Sequence, residues 1–253
     1  MFDGVTMKVN IGGIVDISTI DFPKSLCSVI FFCGCPFRCP FCQNYKLFLK
    51  ETCKEVTTKW ILSNLKSNIL IDSVTITGGE PTMQIDALVE LLKGIKSLGL
   101  STKVDTCGFY PKNIERLIAD GLLDYIAMDV KAPLQSETYG SAVGLPKAGY
   151  KIVEKVKDSL RLLSELDIPI EIRTTIVPGL IDGERDVKNI VTDLKGVNLY
   201  ILQQFRPNEG TLDPEFAQRP FSSRDQLLAL AKIAKIFIPD VRIRTIEKGE
   251  EKI

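Results

Sequence analysis

From residue 27 onward the sequence alternates short apolar runs rich in β-formers with longer stretches of helical periodicity, and that alternation limits the fold more than any other feature. Runs at 27–33, 73–77, 101–105, 124–130, 168–177, 197–203 and 241–244 read as strands. Stretches at 56–67, 84–98, 111–119, 150–166, 184–194 and 222–237 place apolar residues at helical spacing, with Ser222 as the expected cap of the last. Strand–helix alternation argues for a parallel sheet with helices packed outside it. About six such units are too few for a closed eight-fold barrel, so a partial barrel or an open doubly wound sheet is expected. No repeat, low-complexity segment or Gly/Ser linker interrupts the chain. One domain over residues 1–253 is expected, with a core at about 20–207 and a C-terminal extension at 208–253.

Both architectures place functional residues at the C-terminal ends of the strands. The chemically unusual residues fall there: Cys35–Cys42 after the first run, Gly78, Gly79 and Glu80 after the second, Asp105 after the third, Asp129 and Lys131 after the fourth. Composition narrows the chemistry. There is no histidine, which removes Ser-His-Asp hydrolases, Cys-His proteases and His-ligated zinc sites. Lys+Arg and Asp+Glu both number 32, so no global field favours nucleic acid or a membrane surface, and neither partner is expected. No apolar run approaches the ~20 residues that span a bilayer, and the first residues lack a signal-peptide pattern, so a cytoplasmic location is the default.

Four of the seven cysteines lie between residues 33 and 42. In a chain of this kind such clustering favours metal or redox chemistry over a disulfide framework. Cys35, Cys39 and Cys42 form a CxxxCxxC loop, and three thiolates on a tight loop can hold three corners of a cubane cluster. One iron then stays open to an outside ligand, as a catalytic zinc keeps a free position. A zinc loop is the competing reading, but it would ask for a second pair of ligands that the chain lacks.

With Phe41 before the last cysteine, this loop resembles the signature of the radical S-adenosylmethionine (SAM) superfamily, and Gly78-Gly79-Glu80-Pro81 resembles that family's GGEP segment. The resemblance spans roughly residues 27–207 and implies an α/β fold, a partial (β/α)6 barrel of the radical SAM type. It also implies one [4Fe–4S] cluster on Cys35, Cys39 and Cys42, and SAM bound at its open iron. Several segments are similar to one branch, the glycyl-radical-enzyme activases. They are the lead-in at 12–23, Phe31-Phe32-Cys33-Gly34-Cys35, Cys42-Gln43-Asn44, Asp105-Thr106-Cys107-Gly108, Asp129-Val130-Lys131, and Arg173 with Val177-Pro178-Gly179. The run Leu202-Gln203-Gln204-Phe205-Arg206-Pro207 resembles the ribonucleotide reductase activators of that branch.

The resemblance assigns roles. Phe41, Gly78, Gly79 and Glu80 belong to the cofactor site, with Glu80 facing the amino group of SAM. Lys131 complements its carboxylate. Asp105 and Asp129 face the ribose or hold a monovalent cation, Gln203 or Gln204 lines the ribose or adenine, and Arg173 meets the partner. The implied partner is a glycyl radical enzyme of the anaerobic ribonucleotide reductase type, and the implied electron donor is a reduced flavodoxin or ferredoxin. Read as residues alone, Gly78 and Gly79 let backbone approach a ligand closely, and Glu80 supplies a carboxylate for an ammonium group.

Cys27 and Cys33 read as small buried apolar residues. Cys53 is alone in the region where activases with extra clusters carry more cysteines, so a single cluster is expected. Two other readings stand beside the activase. One is a radical SAM enzyme acting on a small molecule or nucleobase, similar to deazapurine synthases; the other is a non-catalytic iron–sulfur carrier or zinc module.

Overall fold

The computed structural model describes residues 6–194 and 196–253. In chain order the strands and helices are β1 (Lys8–Ser18), β2 (Cys27–Phe32), β3 (Lys54–Thr57), α1 (Thr58–Ser67), β4 (Ser73–Gly78), α2 (Ile85–Ser97), β5 (Ser101–Thr106), α3 (Pro111–Ala119) and β6 (Tyr125–Asp129). They continue as α4 (Ser136–Ala142), α5 (Gly149–Ser164), β7 (Ile170–Ile176), α6 (Glu184–Asp193), β8 (Leu199–Gln204), α7 (Pro214–Ala217), α8 (Arg224–Ala234), β9 (Asp240–Thr245) and β10 (Gly249–Lys252). By its internal contacts the chain groups into two compact units. The first holds residues up to Pro36, Asn44–Thr106 and Lys112–Ile126; the second holds Phe37–Gln43, Cys107–Pro111 and Ala127–Ile253.

In the first unit the strands run in the order β3-β1-β2-β4-β5. β2, β4 and β5 are parallel, and β1 is antiparallel to both β2 and β3. β2 (CSVIFF) and β4 (SVTITG) are each buried over four successive residues, without alternation, because both faces are covered. The register between β1 and β2 slips between Ile11 and Gly13. Gly12 sits at that bulge, where a Cβ would overlap the Leu47 side chain. α1 begins with the Thr57 hydroxyl accepting from Trp60 N at 3.1 Å. α2 buries Leu88, Leu91, Leu92 and Ile95, and Gly94 lets the Leu62 side chain of α1 seat against it.

The second unit has the order β7-β8-β9-β10, with β7, β8 and β9 parallel and β10 a final antiparallel hairpin strand. Helix α5 buries Ile152, Val153, Val156, Leu160 and Leu163, a stripe at three- and four-residue spacing. The cap of α8 is Ser223, whose hydroxyl accepts from Gln226 N at 3.1 Å. Ser222, the residue expected there, is fully buried and donates to the Ile176 carbonyl at 2.6 Å, so it ties α8 to β7 instead. The stretch from residue 56 also differs from expectation: residues 54–57 form β3, and the helix starts at Thr58.

Candidate active site

In the first unit the chain leaves β2 through Cys33, Gly34 and Cys35, and leaves β4 through Gly78, Gly79 and Glu80. These two exits are laced together by backbone. Gly79 N donates to Phe32 O at 2.9 Å, Glu80 N to Gly34 O at 2.8 Å, and Gly34 N to Leu47 O at 2.9 Å. Gly78 has φ +116°, and a Cβ there would strike the Phe32 backbone; a Cβ on Gly79 would strike the Gly34 carbonyl. The close approach these glycines permit is therefore to the chain's own backbone at the root of the cysteine loop. Asn44 Nδ2 adds a bond to Gly78 O at 3.2 Å from the far end of that loop.

Glu80 is fully buried. Its Oε1 accepts from Thr82 N at 3.1 Å, from the Thr82 hydroxyl, and from Thr106 Oγ1 at 2.8 Å. These donors fix the buried carboxylate beside the Gly78-Gly79 turn. Asp105, on β5, accepts from Thr77 Oγ1 at 3.1 Å and pairs with Lys103 Nζ at 2.8 Å. Residues 103 and 105 share a face because strand side chains alternate. Lys103 is 3% exposed, donates also to Asp21 O at 2.8 Å, and lies 5.8 Å from the Tyr125 ring centroid. No motif singles out Lys103; the one signal was a lysine two residues from a candidate aspartate on the same short strand.

In the second unit, residues 37–43 carry Cys39, Phe41 and Cys42. Phe37 is buried edge-on to Phe109 and Tyr139, with centroids at 5.5 and 6.5 Å. Arg38 N bonds Val143 O at 2.9 Å, Asp213 N bonds Pro40 O at 2.9 Å, and Leu212 N bonds Cys42 O at 3.1 Å. The loop is thus fixed by the end of α4 and by the segment before α7, neither of which carries a recognisable motif. Cys39 and Phe41 are buried and Cys42 is half-buried.

Asp129 closes β6 and meets two cations: Lys131 Nζ at 2.9 Å and Arg173 Nε at 2.7 Å. Arg173 is buried, with its other arm 3.6 Å from Glu171, which Arg244 also approaches at 3.4 Å. Burial opposes ionisation of Asp129, yet Arg173 and Lys131 overcome it and hold the carboxyl well below the usual carboxylate range. Burial likewise opposes the charge on Lys131, but Asp129 and the nearby Cys39 and Cys107 sulfurs push its ammonium above the ordinary lysine range. Tyr139 is fully buried behind Lys131, and burial drives its phenol up. Gln203 is half-buried on β8. Gln204 points the other way: it donates to Ser222 O at 2.8 Å and Glu247 at 3.3 Å, and accepts from Ile246 N at 2.8 Å.

Cys35, Cys39 and Cys42 are thiols outside any disulfide, and an all-thiolate donor set suits an iron–sulfur cluster. Among the described residues no three Cys, Asp or Glu side chains converge on one metal ion. A cubane does not ask for that, since each of its ligands binds a separate iron. Among the described residues no helix is long and apolar enough to cross a membrane. Cys33 departs from its expected role: it forms a disulfide with Cys53. Sequence cannot show this, because the pairing depends on the path of the chain between two cysteines separated by 20 positions.

The Radical SAM superfamily model matches residues 29–192, and this chain belongs to that superfamily: it is a radical SAM enzyme, and the family carries a [4Fe–4S] cluster and SAM as its cofactors. Among its relatives it is 39% identical over 240 residues, 95% of this chain and 98% of the other, to a Methanocaldococcus jannaschii protein named provisionally as a glycyl-radical enzyme activating enzyme. It is 28% identical over 192 residues to the pyruvate formate-lyase-activating enzyme of Clostridium pasteurianum, covering 74% of this chain and 76% of that one. A radical SAM methyltransferase structure from Sphaerobacter thermophilus shares the fold with TM-score 0.69 at 19% identity, covering 96% of this chain and 74% of that one.

Proposed function

We propose that this enzyme activates a glycyl radical enzyme of the anaerobic ribonucleotide reductase type, taking hydrogen from the Cα of one glycine in that partner. The observation that carries the reading is the 39% identity, over 98% of that protein's length, to a protein provisionally named as a glycyl-radical enzyme activating enzyme. The run 202–207 supports the ribonucleotide reductase type. A reduced flavodoxin or ferredoxin is the proposed electron donor, and the cytoplasm the proposed location.

Cys35, Cys39 and Cys42 would hold the cluster, which with SAM supplies reductive cleavage of the sulfonium and a hydrogen-abstracting radical. The chain's own residues position and shield that chemistry. Lys131 offers a fixed ammonium to a carboxylate, held by Asp129 and kept charged by the Cys39 side. Glu80 offers a carboxylate to an amino group from a turn that backbone bonds hold rigid. Phe41, Gly78 and Gly79 are assigned to the cofactor site, and Gln203 to the ribose or adenine. Gln204 supports that strand from the opposite side through Ser222 and Ile246. Arg173, buried against Asp129, acts by fixing that carboxylate, and through it the orientation of Lys131. Asp105 faces the ribose, and Lys103 at 2.8 Å supplies the positive charge that a monovalent cation would otherwise bring.

The test is anaerobic reconstitution, reduction, and addition of SAM with a candidate partner. The reading expects 5′-deoxyadenosine and a glycyl radical EPR signal on an anaerobic ribonucleotide reductase. Deoxyadenosine without any glycyl radical, on this partner or on pyruvate formate-lyase, would move the assignment to a small-molecule substrate.

A further inference from the structure

The Cys33–Cys53 disulfide closes a loop of chain with sequence separation 20, and Cys35, Cys39 and Cys42 all lie inside it. Its two ends are held differently. Cys33 is 6% exposed and fixed by backbone: its N donates to Asn10 O at 2.9 Å and its carbonyl accepts from Gln84 Nε2 at 3.0 Å. Cys53 is half-buried at the end of a short turn, where its N bonds Lys50 O at 3.2 Å. Leu47 O lies 3.5 Å from Cys53 Sγ, an acceptor ready for a thiol hydrogen. The outer sulfur is therefore the one an external thiolate can reach, and the inner one is the leaving group. Cys33 stands two residues before Cys35. Three thiolates leave one iron of a cubane open, and a fourth in the same loop would close it. The disulfide occupies that fourth sulfur.

We propose that Cys33 and Cys53 form a thiol–disulfide exchange site, reduced by an external dithiol, whose oxidised state withholds Cys33 from the cluster. In the exchange, one thiolate of the dithiol attacks Cys53 Sγ, the Cys33–Cys53 bond breaks, and Cys33 leaves as a thiolate that takes a proton. The second thiolate of the reductant then attacks its own sulfur in the mixed disulfide and releases Cys53. Two electrons pass to the protein, and the dithiol becomes a disulfide. The withholding step rests on the cluster reading above; the exchange site does not.

The full chain, free of iron, is alkylated with N-ethylmaleimide before and after dithiothreitol, and the labelled peptides are mapped by mass. Before reduction, Cys33 and Cys53 are expected as one cross-linked pair without label; afterwards both gain label together. Label on either in the unreduced chain, or a cross-link to Cys35, Cys39 or Cys42, overturns the exchange site. Withholding is tested after reconstitution. C53S should keep parental iron content but bind SAM about tenfold more weakly, read from the EPR change of the reduced cluster, and C33S/C53S should restore binding although it too lacks the disulfide. Parental SAM binding by C53S overturns withholding. A parent chain that takes up no four-iron cluster refutes the cofactor reading, while the labelling result still decides the exchange site.

Discussion

The turn after β4 and the end of β6 solve the same problem by different means. Each must hold functional groups still at a strand end. After β4 the solution is steric and neutral: Gly78 and Gly79 bring one backbone against another, and amide bonds to Phe32 O and Gly34 O finish the job. At β6 the solution is ionic: Asp129 sits between Lys131 and Arg173, with Glu171 behind. A backbone clasp tolerates no added atom but is indifferent to charge. An ion-pair array tolerates changes of shape but not an imbalance of charge, because a buried charge left alone is expensive.

The largest break in this contrast should come from G79A. The new Cβ meets the Gly34 carbonyl, and backbone cannot rotate away as a side chain can. We expect a loss of about 3 kcal/mol in chemical denaturation, with no dependence on pH between 5 and 9. G99A is the control: Gly99 has φ +78° but open space around it, so about 1 kcal/mol is expected.

D129N should come next. It leaves Arg173 and Lys131 facing each other without their common anion. We expect about 2 kcal/mol, less than for a fully enclosed pair because Asp129 keeps some solvent contact. The sign of the pH effect follows from the direction of the shifts. Asp129 has a depressed folded value, so its contribution is present above the ordinary carboxylate range and is lost only as pH falls through that depressed value. Lys131 has a raised folded value, so its contribution is intact below the ordinary lysine range and is lost only above it. Across pH 5–9 the parent and D129N stability curves should run parallel. A gap that opens within that window would show the array titrating where the ion pairs say it does not.

The contrast also explains what was legible in the sequence. The amphipathic helices carried strong periodicity and the parallel strands read as short runs rich in β-formers, and α3 has the bounds its pattern predicts. β1 and β3 did not: β1 is interrupted by two glycines, β3 is half charged, and their register joins Lys8 to Thr57 across 49 residues. The CxxxCxxC loop and the GGEP turn were visible because their spacing is local. The partners that fix them are not local. Leu47, Val143, Leu212 and Asp213 act through backbone atoms, which leave no mark on residue identity. The ionic parts had a faint local sign. Lys103/Asp105, Asp129/Lys131 and Glu171/Arg173 are each opposite charges two residues apart, and period two puts the first and last pairs on one face of a strand, while Lys131 lies just past the end of β6. The disulfide had no sign at all beyond two cysteines.

The smallest expected effect concerns the β5 pair, which joins the two modes. Asp105 is held by a neutral hydroxyl from Thr77 and by the Lys103 ammonium. An ammonium at 2.8 Å competes directly with any sodium or potassium ion for that carboxylate, and it is tethered where the ion is not. SAM cleavage by the parent should therefore be unchanged when potassium is exchanged for sodium or for a bulky organic cation. K103M keeps the stem of the side chain and removes the charge. Because Asp105 retains Thr77 and part of its solvent contact, the stability loss should be about 1 kcal/mol, but deoxyadenosine formation should now rise with added potassium. A parent enzyme that responds to potassium as strongly as K103M would show that Lys103 braces the strand and leaves the cation's place open. Lack of response in both would place Asp105 outside the charge balance of the SAM site.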